Sequence, residues 1–323
     1  MSKLSRKILI SVFTLVLTVA ALVATTYAWF TLGDTVSVGQ VEGSVVSGLG
    51  LEMRLVVTDP QNEGEYSFKG PWTSYITSDD INAYLTTINF NEFTAVTSSD
   101  GETFNKLQMS GGASPSLTTT AALPSDYIKL EFEFRTQGQG DIYLYDFEMS
   151  DNGIVTWTND GVKFNDPFGV EVPADTGTVE EQITNSLRVS FFGKDSTLVV
   201  EKDAGDGNVR GKGNEDLEPS VELIDQGAHS FFVSRNEHLK STYEGLLGTA
   251  DLVETKDVTE VNDEGGTKVT EVDNTNTETV NTITYNIATL TVYIWVEGWD
   301  VNAYNPVFGQ QVSVNLNFRL QQD

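Results

Sequence analysis

The sequence predicts an all-β chain whose antiparallel sheets pack face to face as a sandwich or jelly roll. Three observations carry that expectation. Period-two alternation with β-branched and aromatic residues recurs from one end to the other. Helical signals are few and short. There is no strand-helix-strand rhythm of the kind that builds parallel sheets.

The strands read off in order. Residues 51–57 (LEMRLVV), 127–135 (YIKLEFEFR), 141–147 (DIYLYDF), 187–192 (LRVSFF), 289–296 (TLTVYIWV) and 312–320 (VSVNLNFRL) each alternate inward and outward positions. Gln137-Gly138-Gln139-Gly140 joins the second run to the third, a connection of hairpin length, so those two strands are expected to pair as a β-hairpin. Capping boxes at 178–181 (TVEE) and 234–237 (SRNE) predict short helices, and Ser78 opens one or two further turns toward Leu85. Residues 193–230 and 244–284 contain no Phe, Tyr or Trp and are expected to contribute little to a core. The stretch from about 193 to 284 therefore reads as an acidic, aromatic-poor insertion in a single domain covering 29–323. Inside it, the similar runs 257–261 (DVTEV) and 267–272 (TKVTEV) flank NDEGG, which predicts a protruding acidic hairpin.

Composition narrows the function. In 323 residues there are 19 Lys and Arg against 47 Asp and Glu, a formal net charge of −28. Nucleic acid is excluded as a partner, because binding polyphosphate needs a basic stripe. The absence of cysteine excludes disulfides, thiolate metal sites and cysteine nucleophiles, and two histidines exclude a multi-His metal centre. With 39% hydrophobic residues the chain is composed to fold.

The N-terminus carries an export signal. Lys3, Arg6 and Lys7 precede residues 8–33, which hold no charge, and 8–24 (ILISVFTLVLTVAALVA) is the apolar core of that run. A basic region, an apolar region and small residues at Thr26 and Ala28 fit a signal peptide cleaved after Ala28. The other reading is an uncleaved anchor with Tyr27, Trp29 and Phe30 at the membrane interface. Either way the body lies outside the cell, and only the N-terminal segment touches membrane.

Chemical motifs are sparse. His229 and His238 have no zincin spacing and read as surface or cap-region histidines, and no GxSxG elbow occurs. The sequence predicts no enzyme. No cofactor is expected beyond a weak Ca²⁺ candidate at Asp203, Asp206 and Asn208, an oxygen-rich turn without the closing Glu of an EF-hand. The densest local signal is Trp295-Val296-Glu297-Gly298-Trp299-Asp300. It reads as a strand that turns at Gly298, with Glu297 a buried hydrogen-bond node.

The segment Thr26, Tyr27, Ala28, Trp29, Phe30, Thr31, behind its short leader, resembles the processing site of the TasA/camelysin family of exported proteins of Gram-positive bacteria and relatives. The resemblance covers about the first thirty residues, and Trp29 stands where members often carry Ala. The segment from Trp295 to Asp300 is similar to a C-terminal motif of larger exported proteins of low-GC Firmicutes. The resemblance implies cleavage by a SipW-type signal peptidase, an extracellular or cell-surface location, a jelly-roll sandwich, and assembly into fibres by adding the released N-terminal strand to a neighbouring copy. Here the assembly segment would be Trp29, Phe30, Val36, Val38 and Val41, with intramolecular pairing of the same strand as the other possibility. A surface adhesin whose Trp72, Trp157 or Trp299 stacks on carbohydrate is the alternative function.

Overall fold

Strands dominate the computed structural model, which describes residues 37–46, 50–58, 65–90, 92–110, 116–159, 161–202, 224–249, 253, 255–304, 307–308 and 310–321. Two sheets form its centre. The first runs β17 (Thr267–Val272), β9 (Gly140–Asp151), β20 (Gln311–Gln321), β1 (Ser37–Val46), β4 (Tyr75–Ile76). The second runs β16 (Lys256–Asp257), β15 (Ser196–Glu201), β14 (Leu187–Gly193), β19 (Ile283–Glu297), β8 (Ile128–Thr136), β2 (Glu52–Thr58), β3 (Tyr66–Lys69). Two short strands extend it: β18 (Thr277–Val280) pairs with the start of β19, and β5 (Ala95–Val96) with its end. Pairing is antiparallel except for β1 on β20, β16 on β15 and β5 on β19.

Alternation decides what lies between the sheets. Val312, Val314, Leu316 and Phe318 of β20 meet Leu130, Phe132 and Phe134 of β8 and Leu290, Val292 and Ile294 of β19 in one buried cluster. Phe318 packs edge-on against Phe134 at 5.1 Å between ring centroids. The outward face of β19 is also buried. Tyr293 and Trp295 join Val96, Val199 and Phe104 in a second cluster, beside a ribbon of β6 (Asn105–Ser110) and β7 (Ser116–Ala121). Burial on both faces is why the end of β19 reads as an unbroken apolar run.

The remaining elements extend that outer layer. Helices α2 (Gly227–Arg235) and α3 (Lys240–Leu247) bring Phe232, Tyr243 and Leu247 against Leu117 and Trp299. Two small ribbons, β10 (Val155–Thr158) with β13 (Thr178–Glu181) and β11 (Phe164–Asn165) with β12 (Glu171–Val172), gather Phe164, Val172 and Val179 around Phe231 and Tyr304. Helix α1 (Ser78–Thr87) buries Ile81, Tyr84 and Leu85 on one stripe. Its cap is Thr77, one residue before the predicted start, whose hydroxyl accepts from the Asp80 amide.

Several expectations are corrected. The 137–140 connection does not close a hairpin: β8 lies in the second sheet and β9 in the first, so the chain crosses between sheets there. Both strands carry large apolar faces, and placing them on opposite walls of the core buries both. Residues 178–181 form β13, not a helix, because Val179 and Glu181 turn inward at period two. Residues 234–237 contain the end of α2 and enter a short 3₁₀ turn (Glu237–Leu239) with no side-chain cap. The acidic hairpin is absent. Asp257 instead caps α4 (Val258–Asn262), accepting from Thr259 N at 2.5 Å, while Glu260 accepts from Asp257 N at 3.0 Å. The second run is β17, paired with β9. Nor is 193–284 marginal to the core, since Leu198, Val200, Val261, Val269 and Val272 all enter the inter-sheet cluster. Gly193 allows this. A Cβ there would stand 2.0 Å from Val269 O, where β17 crosses the end of β14.

Candidate functional site

Strand β14 pairs Arg188 with Glu201 of β15 on one side and with Trp295 of β19 on the other. All three side chains therefore share the outward face of the second sheet. Period two adds Glu297, and the turn that follows adds Asp300. The Arg188 guanidinium is 1% exposed. Its Nε and Nη2 donate to Glu201 Oε2 at 2.9 and 2.7 Å, and Nη2 also donates to Asp300 Oδ2 at 3.3 Å. Nη1 lies 3.4 Å from Glu297 Oε2. Burial opposes the guanidinium charge, but Glu201, Glu297 and Asp300 outweigh it and hold the pKa above its ordinary value.

Glu297 is fully buried. Its Oε1 accepts from Trp299 N at 3.0 Å and its Oε2 from Trp295 Nε1 at 3.2 Å. Burial raises its pKa, opposed by Arg188 and these donors. Gly298 N donates to Val96 O at 2.7 Å, and Asp300 Oδ1 accepts from Asn302 N at 2.9 Å, which closes the turn. The guanidinium and the three carboxyl groups thus pin the 297–302 turn to β14 and β15. Removing Arg188 costs about 3–5 kcal/mol, because it leaves buried carboxyl groups without their only cationic partner in the cluster.

The same turn is held from its other side. His229 on α2 is 1% exposed, with Nδ1 2.7 Å from Tyr243 Oη and Nε2 3.0 Å from Trp299 O. A carbonyl can only accept, so Nε2 carries the proton and Nδ1 accepts from the tyrosine. Burial pulls the imidazole down to about 4 and pushes the Tyr243 phenol up. Gly227 opens α2 at φ +54°, where a Cβ would stand 2.2 Å from Val301 O, and Ala228 N donates to that carbonyl at 2.7 Å. The surface placement expected for His229 is thereby corrected: it is a core histidine beside the rings of Tyr243 and Trp299. His238 is exposed.

The structure therefore brings together the predicted residues Trp295, Glu297, Gly298, Trp299 and Asp300, and adds Arg188, Glu201, His229 and Tyr243. Period-two alternation marks Arg188 as an outward position and does not say what covers that face. The apolar run at Tyr293-Ile294-Trp295-Val296 was the signal that this face is covered.

Val41 and Val45 of β1 insert into the inter-sheet core. β1 runs along the C-terminal strand from Ser37↔Gln311 to Val46↔Arg319, with a bulge between Val38 and Gln40, and meets β4 only at Gly43 and Ser44. Trp29, Phe30 and Val36 lie outside the described residues, as do Thr26, Tyr27 and Ala28 and the calcium candidates Asp203, Asp206 and Asn208. Among the described residues no group of His, Asp and Glu is placed to hold a metal ion, and no helix is long and apolar enough to cross a membrane.

The three indoles considered for carbohydrate are engaged. Trp72 lies under the guanidiniums of Arg54 and Arg135, at 3.9 and 4.6 Å from its ring. Trp157 packs edge-on against Phe231, and Trp299 is buried. No protein family, no curated protein and no solved structure matches the chain.

Proposed function

We propose that the chain is an exported cell-surface structural protein, a fibre or matrix subunit without catalytic activity, processed after Ala28 and assembled by strand addition. In this reading the sandwich is a jelly roll, residues 1–28 are a signal helix, the partners are a signal peptidase and further copies of the chain, and no cofactor takes part.

One observation carries it. The first described strand, β1, lies parallel on the last, β20, and contributes Val41 and Val45 to the core. Burying each such side chain is worth about 1.5–3 kcal/mol. A strand of identical sequence from a neighbouring copy makes the same contacts, so exchange changes little beyond association entropy. The sequence between β1 and β2 is short and carries Gly48 and Gly50, the latter at φ +68°. Because donor and acceptor are different surfaces, head-to-tail exchange is heterologous and builds an open filament where the rotation between successive copies does not close a ring.

Cysteine trapping tests this. Ser44 and Asn317 are register partners whose side chains lie 2.5 Å apart, and the chain has no native thiol. The double variant Ser44→Cys, Asn317→Cys in the chain from Trp29 onward is oxidised under conditions searched for filaments by electron microscopy. Strand addition gives filaments and a covalent ladder on a non-reducing denaturing gel. Closed monomers alone, with no filament at any concentration, overturn the proposal.

A further inference from the structure

We infer that the β18–β19 ribbon is a self-association edge, where a second copy of this chain pairs antiparallel with β18 about a two-fold axis at Thr279. The ribbon continues β19, the central strand of the second sheet, past its last pair with β8 at Asn286↔Thr136. Asn281 and Thr282 form its turn, at φ +50° and +73°. Residues 277–286 contain one charged side chain, Glu278, in a chain where one residue in five is charged. Repulsion between copies bearing −28 each is least along such a segment.

Hydrogen-bond parity fixes which groups are on offer. Ile287 N donates to Asn276 O at 2.8 Å. Bonded and non-bonded pairs alternate in an antiparallel ladder. Glu278 and Val280 therefore turn their main-chain groups toward β19, and Thr277 and Thr279 turn theirs outward. Among the described residues those outward groups face no other strand.

The terminal strands of both sheets are guarded by comparison. β4 and β16 have two residues each, and β16 carries Lys256. β3 carries Lys69 and sits beside a bulge, and β17 carries Lys268 and a bulge. β18 has no Lys, no Pro and no bulge, the devices that keep sheet edges apart.

Chemistry also selects the register. Parity allows Thr279 opposite Thr279 of the second copy, which sets Thr277 opposite Asn281 and Glu278 opposite Val280. Centring on Glu278 instead would face two carboxylates across the axis, which is unfavourable. The chosen register brings Val280, 37% exposed, diagonal to its counterpart on the same face. The ribbon is already ordered as part of β19, so little conformational entropy is lost on pairing. The edge is short against the area a permanent dimer buries, so the association is concentration-dependent.

The test uses the full chain and, in parallel, the chain from Trp29, which retains every described residue. The oxidised Ser44→Cys, Asn317→Cys monomer is included so that strand exchange at β1 is switched off. In sedimentation velocity the mass of the oxidised closed monomer rises toward a dimer with concentration, and Thr279→Pro or Thr279→Lys added to it restores the monomer; in the two open chains the same substitutions remove only the part of the association that oxidation leaves. Oxidised Thr279→Cys forms a covalent dimer at least ten times more readily than Thr277→Cys. A closed monomer that stays single at millimolar concentration overturns the inference and leaves strand addition untouched. Association of the closed monomer that survives both substitutions, or equal cross-linking at 277 and 279, overturns it as well.

Discussion

Both ring nitrogens of His229 are committed, one to Tyr243 and one to the Trp299 carbonyl, and burial brings the imidazole down to about 4. An unfolded histidine binds its proton near 6.5. The unfolded chain therefore takes up this proton first as pH falls. The stability that His229 contributes is complete above about 6.5, declines through the interval, and is lost below about 4. A gap of that size corresponds to about 3 kcal/mol. Glutamine can donate to the Trp299 carbonyl and accept from Tyr243 without titrating. Urea unfolding at pH 7 and pH 4 is expected to give the wild-type chain a loss about 3 kcal/mol larger than that of His229→Gln. Equal losses would remove the imidazole as the acid-sensitive group. Because His229 and Arg188 grip one turn from opposite sides, its exposure should register in Trp299 fluorescence over the same range.

At the scale of elements, strands were legible wherever one face is apolar and the other polar, as in β8 and β20, because alternation records burial directly. Partnership was not legible. The Gln137–Gly140 connection has hairpin length, but length does not say whether the next strand returns beside the last or crosses to the other wall. Capping boxes were ambiguous for a related reason. At 178–181 the hydroxyl and carboxylates occupy the right spacing, yet inward Val179 and Glu181 make a strand of it. At 257–260 the sequence carries a genuine box, masked by the likeness of its neighbours to those of β17. Thr77 is where cap and core agree: Ile81, Tyr84 and Leu85 form a helical stripe behind it. Thr77→Ala removes the acceptor for Asp80 N, with an expected cost of about 1 kcal/mol in unfolding free energy, read from urea denaturation. Ser78→Ala, at the start read from sequence, should cost markedly less. The reverse order would put the cap one residue later.

For the whole molecule, the question is how a strand at one end of the chain completes a sheet built from the other end. The C-terminal strand β20 is flanked by β9 and β1, so without β1 one side of its backbone lacks a partner. The core then loses Val41 and Val45 beside Val314 and Leu316. A chain beginning at Ser47 is expected to refold poorly from urea and to aggregate through that open edge. Because β1 is joined to the other described strands through its link to β2, a free peptide covering 37–46 (SVGQVEGSVV) should supply the missing contacts. Adding it during refolding is expected to restore soluble protein and raise the thermal midpoint in proportion to peptide concentration. A peptide with Val41→Asp and Val45→Asp should do neither, since each substitution would bury an unpaired carboxylate. If the shortened chain instead refolds alone, with its full midpoint and no response to peptide, β1 adds nothing that another copy could supply, and assembly through this strand has no thermodynamic basis.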